Sequence, residues 1–136
     1  MKGPLPTMNT PSTVPTPTAL VLIGHGSRDP LWRVPIETLA ERVSQRSPAM
    51  AVRCAYLEWA SPDVQGAVEA LVSQGHARIR LMPLFFGMGK HAREDMPALV
   101  QALREQHPGL ELQVMPSAGE MSEVLDLLAG LALQDQ

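Results

Sequence analysis

Past residue 18 the chain alternates between short apolar runs and longer stretches with an apolar residue every three or four positions. Residues 19–23 are an unbroken apolar run, which predicts a strand buried on both faces. Ile36, Leu39, Ala40 and Val43 then recur at i, i+3, i+4 and i+7, the period of an amphipathic helix. A second strand is predicted over about 51–57. Ser61-Pro62 predicts a helix start, with Ser61 as N-cap and Pro62 at the first helical position. Val64, Val68, Leu71 and Val72 give that helix its apolar face, and Gly75 closes it. A third strand runs from Ile79 to about Pro83. Asp95-Met96-Pro97 predicts a cap followed by a proline in the first helical turn, with Leu99, Val100 and Leu103 as the face. Leu110 to Met115 reads as a fourth strand whose Glu111 and Gln113 alternate with apolar residues, as at a partly wet edge. Met121, Val124, Leu125, Leu128 and Leu131 mark a last helix.

Strands alternating with helices through short connections predict an α/β fold. The expected form is a small doubly wound four-stranded parallel sheet, order 2-1-3-4, with right-handed crossovers and helices on both faces. In that order the first and third strands are neighbours, and the chain reverses direction between them. Each is followed by a glycine-rich segment carrying a histidine: Gly24-His25-Gly26-Ser27-Arg28 and Gly87-Met88-Gly89-Lys90-His91. Both segments should open onto one crevice at the carboxyl edge of the sheet, where such folds bind ligands.

Residues 1–18 are different in kind. Pro4, Pro6, Pro11, Pro15 and Pro17, mixed with threonine and serine, cannot bury apolar surface and predict a disordered or extended tail. The domain is expected over 19–136. The whole chain has 136 residues, enough for one ordinary core. Its net charge is −3 without a block of like charge, which argues against nucleic acid as the main partner. No apolar run approaches the ~20 residues needed to span a bilayer. The N-terminus lacks the apolar stretch of a signal peptide, so a cytoplasmic protein without a membrane partner is expected. Cys54 is the single cysteine; it excludes an internal disulfide and reads as a small buried residue.

The crevice carries the candidate chemistry. Imidazole is a ligand for divalent iron, cobalt, nickel and zinc, and a base poised near neutral pH. His25 and His91 can therefore hold a divalent ion, accept protons, or do both. Glu58, at the end of the second strand, can serve as a third ligand or a proton relay; the alternative is a solvated strand-end acid. The glycines, Gly89 among them, let backbone amides approach an anionic ligand. Ser27, Arg28, Lys90 and Arg93 can bind carboxylates, while Leu84, Phe85, Phe86 and Met88 supply an apolar wall. A flat, apolar ligand with acidic arms fits this mixture better than a nucleotide. Asp95 is either the cap of its helix or an acid orienting His91. His76 and His107 read as helix C-terminal residues. The glycine-rich segments are neither a phosphate-binding loop nor a nucleophile elbow, since they lack Gly-Lys-Ser/Thr and Gly-x-Ser-x-Gly.

These residues also resemble a known family. Val21-Leu22-Ile23-Gly24-His25-Gly26-Ser27-Arg28-Asp29-Pro30, then Leu57-Glu58 with Pro62 after it, then Pro83-Leu84-Phe85-Phe86 and Gly89-Lys90-His91-Ala92-Arg93-Glu94-Asp95-Met96-Pro97, is similar to the short CbiX-type sirohydrochlorin chelatases. The resemblance covers about residues 19–131. It implies insertion of divalent cobalt or ferrous iron, with nickel a further candidate, into sirohydrochlorin, a reduced tetrapyrrole with eight carboxylate arms. The products of such reactions feed cobalamin or siroheme-type synthesis. The family's motif histidines match His25 and His91, which would bind the incoming metal and help remove two pyrrole protons. The metal is then a substrate, and no permanently bound cofactor is expected. Short members carry one lobe of a two-lobed fold, so the resemblance implies a homodimer. Two rival readings stay open: a carrier of metal or tetrapyrrole with the same fold, and a small metal-dependent hydrolase. The Pro/Thr-rich tail is not part of the family pattern.

Overall fold

A computed structural model describes residues 18–135. The expected tail lies outside the described residues except for Thr18, whose side chain already donates to the Arg78 carbonyl at 3.0 Å. Four strands, β1 (Ala19–Gly24), β2 (Ala51–Tyr56), β3 (Arg78–Pro83) and β4 (Glu111–Val114), form one parallel sheet in the order β2-β1-β3-β4. This is the predicted order. Four helices accompany them: α1 (Val34–Arg46), α2 (Val64–Ser73), α3 (Lys90–Gln106) and α4 (Ser122–Ala132). Among the described residues no helix is long and apolar enough to cross a membrane.

Burial divides the sheet into two faces, as the period of two requires. Ala19, Val21 and Ile23 of β1 pack with Ile79 and Leu81 of β3 against Val64, Val68 and Leu71 of α2 and Met96, Val100 and Leu103 of α3. Leu20 and Leu22 point the other way, into a smaller cluster with Ile36, Leu39 and Val43 of α1 and Tyr56 of β2. All six β1 residues are buried, so the uninterrupted apolar run marks the central strand. In β4 only Leu112 is buried, in keeping with a wet edge.

Two helix starts are corrected. Ser61 is not the cap of α2: the Ser61–Pro62 peptide is cis, and Asp63 is the N-cap, its carboxylate accepting the Gly66 N–H at 2.8 Å. Asp95 is not the cap of α3 either. That helix starts at Lys90 with Gly89 as N-cap, and Pro97 lies inside it. A proline within a helix removes one backbone hydrogen bond; the buried Ala92, Met96, Val100 and Leu103 keep the helix continuous through it. The last helix forms where expected, but its apolar face meets neither cluster. Cys54 is half-buried, and its thiol donates to the Ile36 carbonyl at 3.7 Å.

Candidate functional site

The site is built where β1, β2 and β3 end. The hydrogen-bond ladder between β1 and β2 runs past both strands: Leu57 N–H donates to the Gly24 carbonyl at 3.1 Å, and Glu58 N–H to the His25 carbonyl at 3.0 Å. This pairing sets His25 and Glu58 side by side. Gly26 makes it possible. Its φ is +105°, and a Cβ there would lie 1.6 Å from the Glu58 carbonyl oxygen, so no other residue fits without displacing that backbone. On the opposite flank Leu84 N–H donates to the Ile23 carbonyl at 2.8 Å, carrying β3 past its end in the same way. Phe85 follows, buried in the core, and its ring packs on the His25 imidazole with centroids 4.4 Å apart. The imidazole is exposed but backed by a buried ring.

The third connection brings His91. It stands in the first turn of α3 rather than on a loop, and no side chain caps that turn. The Arg93 N–H already donates to the Gly89 carbonyl at 3.0 Å, which leaves the amides before it free for a ligand. His25, Glu58, Gly89, Lys90, His91 and Asp95 line one cavity of about 510 Å³, completed by Leu57, Ala92, Met96 and Leu99. The expected convergence of the two histidine segments is therefore present. Asp95 is one helical turn beyond His91 and shares its face of α3. Among the described residues no three His, Cys, Asp or Glu side chains are grouped to hold a metal ion.

The remaining candidates are not in the lining of this cavity. The Ser27 hydroxyl accepts the Asp29 N–H at 3.0 Å and shapes the turn after His25. The Arg28 guanidinium sits 4.1 Å over the Trp59 ring, a cation–π contact. Phe86 is 72% exposed, Met88 is half-buried against the larger cluster, and Arg93 is exposed on α3. Of the expected apolar wall, Phe85 is core instead, and Leu84 faces a second cavity. That cavity, of about 470 Å³, lies across His25 and is lined by Leu31, Trp32, Pro35 and Leu39 with Leu84. His76 and His107 follow the ends of α2 and α3, as read, away from the site.

Sequence reasoning missed the tryptophans. Trp59 is 56% exposed and holds φ at +67°, a costly conformation for a bulky residue that concentrates at functional sites. Trp32 packs against Gly24, where an added Cβ would meet its ring at 3.1 Å. In a chain with so few aromatics, two tryptophans within eight residues of the strand ends were the available signal.

Cys54 and Tyr56, beneath α1, are unsuited to this chemistry. Burial, reinforced by the Glu37 carboxylate, pushes the Cys54 thiol above its ordinary value of 9.0. Burial chiefly does the same to Tyr56, with the Cys54 and Glu37 charges adding to it.

Known proteins are similar to this chain. A sirohydrochlorin cobaltochelatase of Methanocaldococcus jannaschii is 36% identical over 89 residues, which is 65% of this chain and 62% of that protein. A sirohydrochlorin ferrochelatase of Priestia megaterium is 28% identical over 81% of this chain and 41% of its own length. The chain thus spans about three fifths or less of the length of these relatives. Among solved structures, a CbiX protein of Marinobacter aquaeolei superposes with a TM-score of 0.72. It is 27% identical, and the match covers 84% of this chain and 92% of that one. The sirohydrochlorin chelatase SirB of Bacillus subtilis, solved with cobalt, matches over 49% of its length with a TM-score of 0.70 and 24% identity, a likeness of fold. The CbiX family model matches residues 19–133, a span that takes in the whole sheet, all four helices and both histidine-bearing connections, and the chain belongs to that family.

Proposed function

We propose that this chain inserts a divalent metal, cobalt or ferrous iron with nickel as a further candidate, into sirohydrochlorin. The product would serve cobalamin or siroheme-type synthesis. One observation carries the reading: His25, Glu58 and His91 follow three different strands of the sheet and line one cavity. The names of the relatives point to the same chemistry.

The metal is a substrate here. Two macrocycle N–H bonds break, four ring nitrogens replace the ion's other ligands, and two protons leave. His25 and His91 hold the ion as it sheds water. As ring nitrogens replace the imidazoles on the metal, the freed imidazoles and Glu58 take up the protons. A pair of imidazoles suits an ion that must be handed on, because a fuller ligand set would retain it. Lys90, the free amides at the start of α3, and Arg28, Arg93 and Ser27 suit the carboxylate arms. Gly89 keeps that helix start open to the ligand, and Phe86 and Met88 offer apolar contact to the ring. The chain acts in this reading as a cytoplasmic homodimer, since one small lobe offers half a cleft to a macrocycle.

The test is anaerobic. Purified protein is mixed with sirohydrochlorin and each ion in turn, and the absorbance change is followed. Rates above the spontaneous background support the reading and rank the metals. Binding of tetrapyrrole or metal without acceleration would make the protein a carrier and overturn the enzymatic assignment.

A further inference from the structure

The amino edge of the sheet carries a second pair of histidines. His76 stands between α2 and β3, and His107 between α3 and β4. Both line one cavity of about 420 Å³, with Gly75, Gln106 and Gly109 beside them. Backbone bonds pin the two residues: the His76 N–H donates to the Leu71 carbonyl at 3.1 Å, and the His107 N–H to the Leu103 carbonyl at 3.0 Å. The six residues of β1 separate this edge from His25 by roughly 20 Å. The pair is therefore distinct from the site at the carboxyl edge.

Hydrogen bonding decides which nitrogen of His76 is available. The Thr18 hydroxyl donates its one proton to the Arg78 carbonyl at 3.0 Å, so toward His76 Nδ1, 3.3 Å away, it can only accept. Nδ1 then carries the ring proton and Nε2 the lone pair, the arrangement that orients a metal-binding imidazole. His107 Nε2 is buried and has no hydrogen-bond partner among the described residues. An orphaned polar atom of this kind costs stability, and a ligand that engages it removes the cost. The His107 ring as a whole is half-buried, and the broad χ2 torsion of histidine lets it turn that nitrogen to the cavity.

The surroundings select the charge of the ligand. Each histidine follows the C-terminus of a helix, α2 of 10 residues and α3 of 17, where peptide dipoles concentrate negative partial charge. A cation is favoured there and an anion opposed. Among the described residues no third His, Cys, Asp or Glu joins the pair to make a metal-holding group, so a hard ion such as calcium finds no oxygen cage. Two imidazoles suit a borderline first-row ion, with water and the Gln106 carboxamide in its other positions. We propose that His76 and His107 together hold a divalent transition ion such as zinc, which clips the start of β3 to the start of β4. The proposal does not depend on the chelatase chemistry.

Zinc alone is the probe, and the carboxyl-edge histidines are removed so that only the second pair can respond. It is titrated by calorimetry into H25A/H91A and into the same chain with H76A/H107A added, and circular dichroism and thermal melts follow each sample. H25A/H91A should bind one ion per chain and gain roughly 10 °C in Tm at a hundredfold excess over Kd. The fourfold variant, folded without the ion, should bind none and gain nothing. An H25A/H91A chain that binds no zinc, or an equal rise in the fourfold variant, would overturn the proposal. If the fourfold variant does not fold, long-range 1H–15N spectra of H25A/H91A decide the matter. Before zinc, His76 should show the Nδ1–H tautomer, and zinc should shift the Nε2 resonances of His76 and His107 together. Zinc that shifts neither, or one without the other, would overturn the pairing.

Discussion

Gly26→Ala separates the geometry of the site from its chemistry, because it changes no functional group. The native φ of +105° is unfavourable for any residue with a Cβ, and the new methyl would begin 1.6 Å from the Glu58 carbonyl oxygen. Ordinary contact begins beyond about 3 Å, so the two backbone segments must part by more than 1 Å. The left-handed conformation alone costs about 1–2 kcal/mol. Parting the segments also weakens the 3.0 Å bond from Glu58 N–H to the His25 carbonyl, worth about 1 kcal/mol. Together these predict a loss of roughly 2–3 kcal/mol, or on the order of 10 °C in Tm for a domain of this size. A displacement of that size between His25 and Glu58 should cut metal insertion on the order of 100-fold. Gly87→Ala is the control, since nothing lies within 4 Å of its added methyl. Thermal melts by circular dichroism and the anaerobic insertion assay read both effects. A Gly26→Ala protein matching Gly87→Ala in Tm and rate would refute the argument that this glycine sets the distance between the two groups.

Other predictions address single groups. His25→Ala and His91→Ala should each abolish insertion and shift Tm by less than about 2 °C, since both side chains are exposed; full activity in both would remove them from the mechanism. Arg28→Ala and Lys90→Ala should raise KM for sirohydrochlorin, more so at low salt where exposed charges are least screened; an unchanged KM at low salt contradicts their assignment. Cys54 should react slowly with a thiol reagent at neutral pH and quickly once the chain is unfolded, as its raised pKa and half-buried position require. Because Cys54 and Tyr56 hold their protons more tightly when folded, the unfolded chain ionises first, so stability falls as pH rises above 9 and through 10. Melts across that range should show a shallower decline for Cys54→Ala, and an equal decline would exclude the thiol as a contributor.

The fold was legible where burial and period agree. The run 19–23 could only be a central strand, and its neighbours followed from the alternation of strands and helices. Glu58 was legible because it ends the strand beside β1, where the extended ladder pairs it with His25. Helix starts were misread at both X-Pro signals, because a proline marks a permitted first turn without requiring one. Pro62 sits before Asp63, a better cap, and Pro97 is carried inside a helix by the buried residues on either side of it. The placement of His91 on a helix and the backbone of Trp59 depend on contacts distant in sequence, which local pattern does not encode. The exposure of α4 was illegible for a related reason: an apolar stripe announces that a helix packs without saying on what.

The central claim is that two imidazoles far apart in sequence serve one ion. Crystals grown with cobaltous ion and measured at the cobalt absorption edge test this directly. The account predicts an anomalous peak at about 2.1 Å from a ring nitrogen of both His25 and His91. A peak bound by one of them alone, or no peak in their cavity, would contradict it.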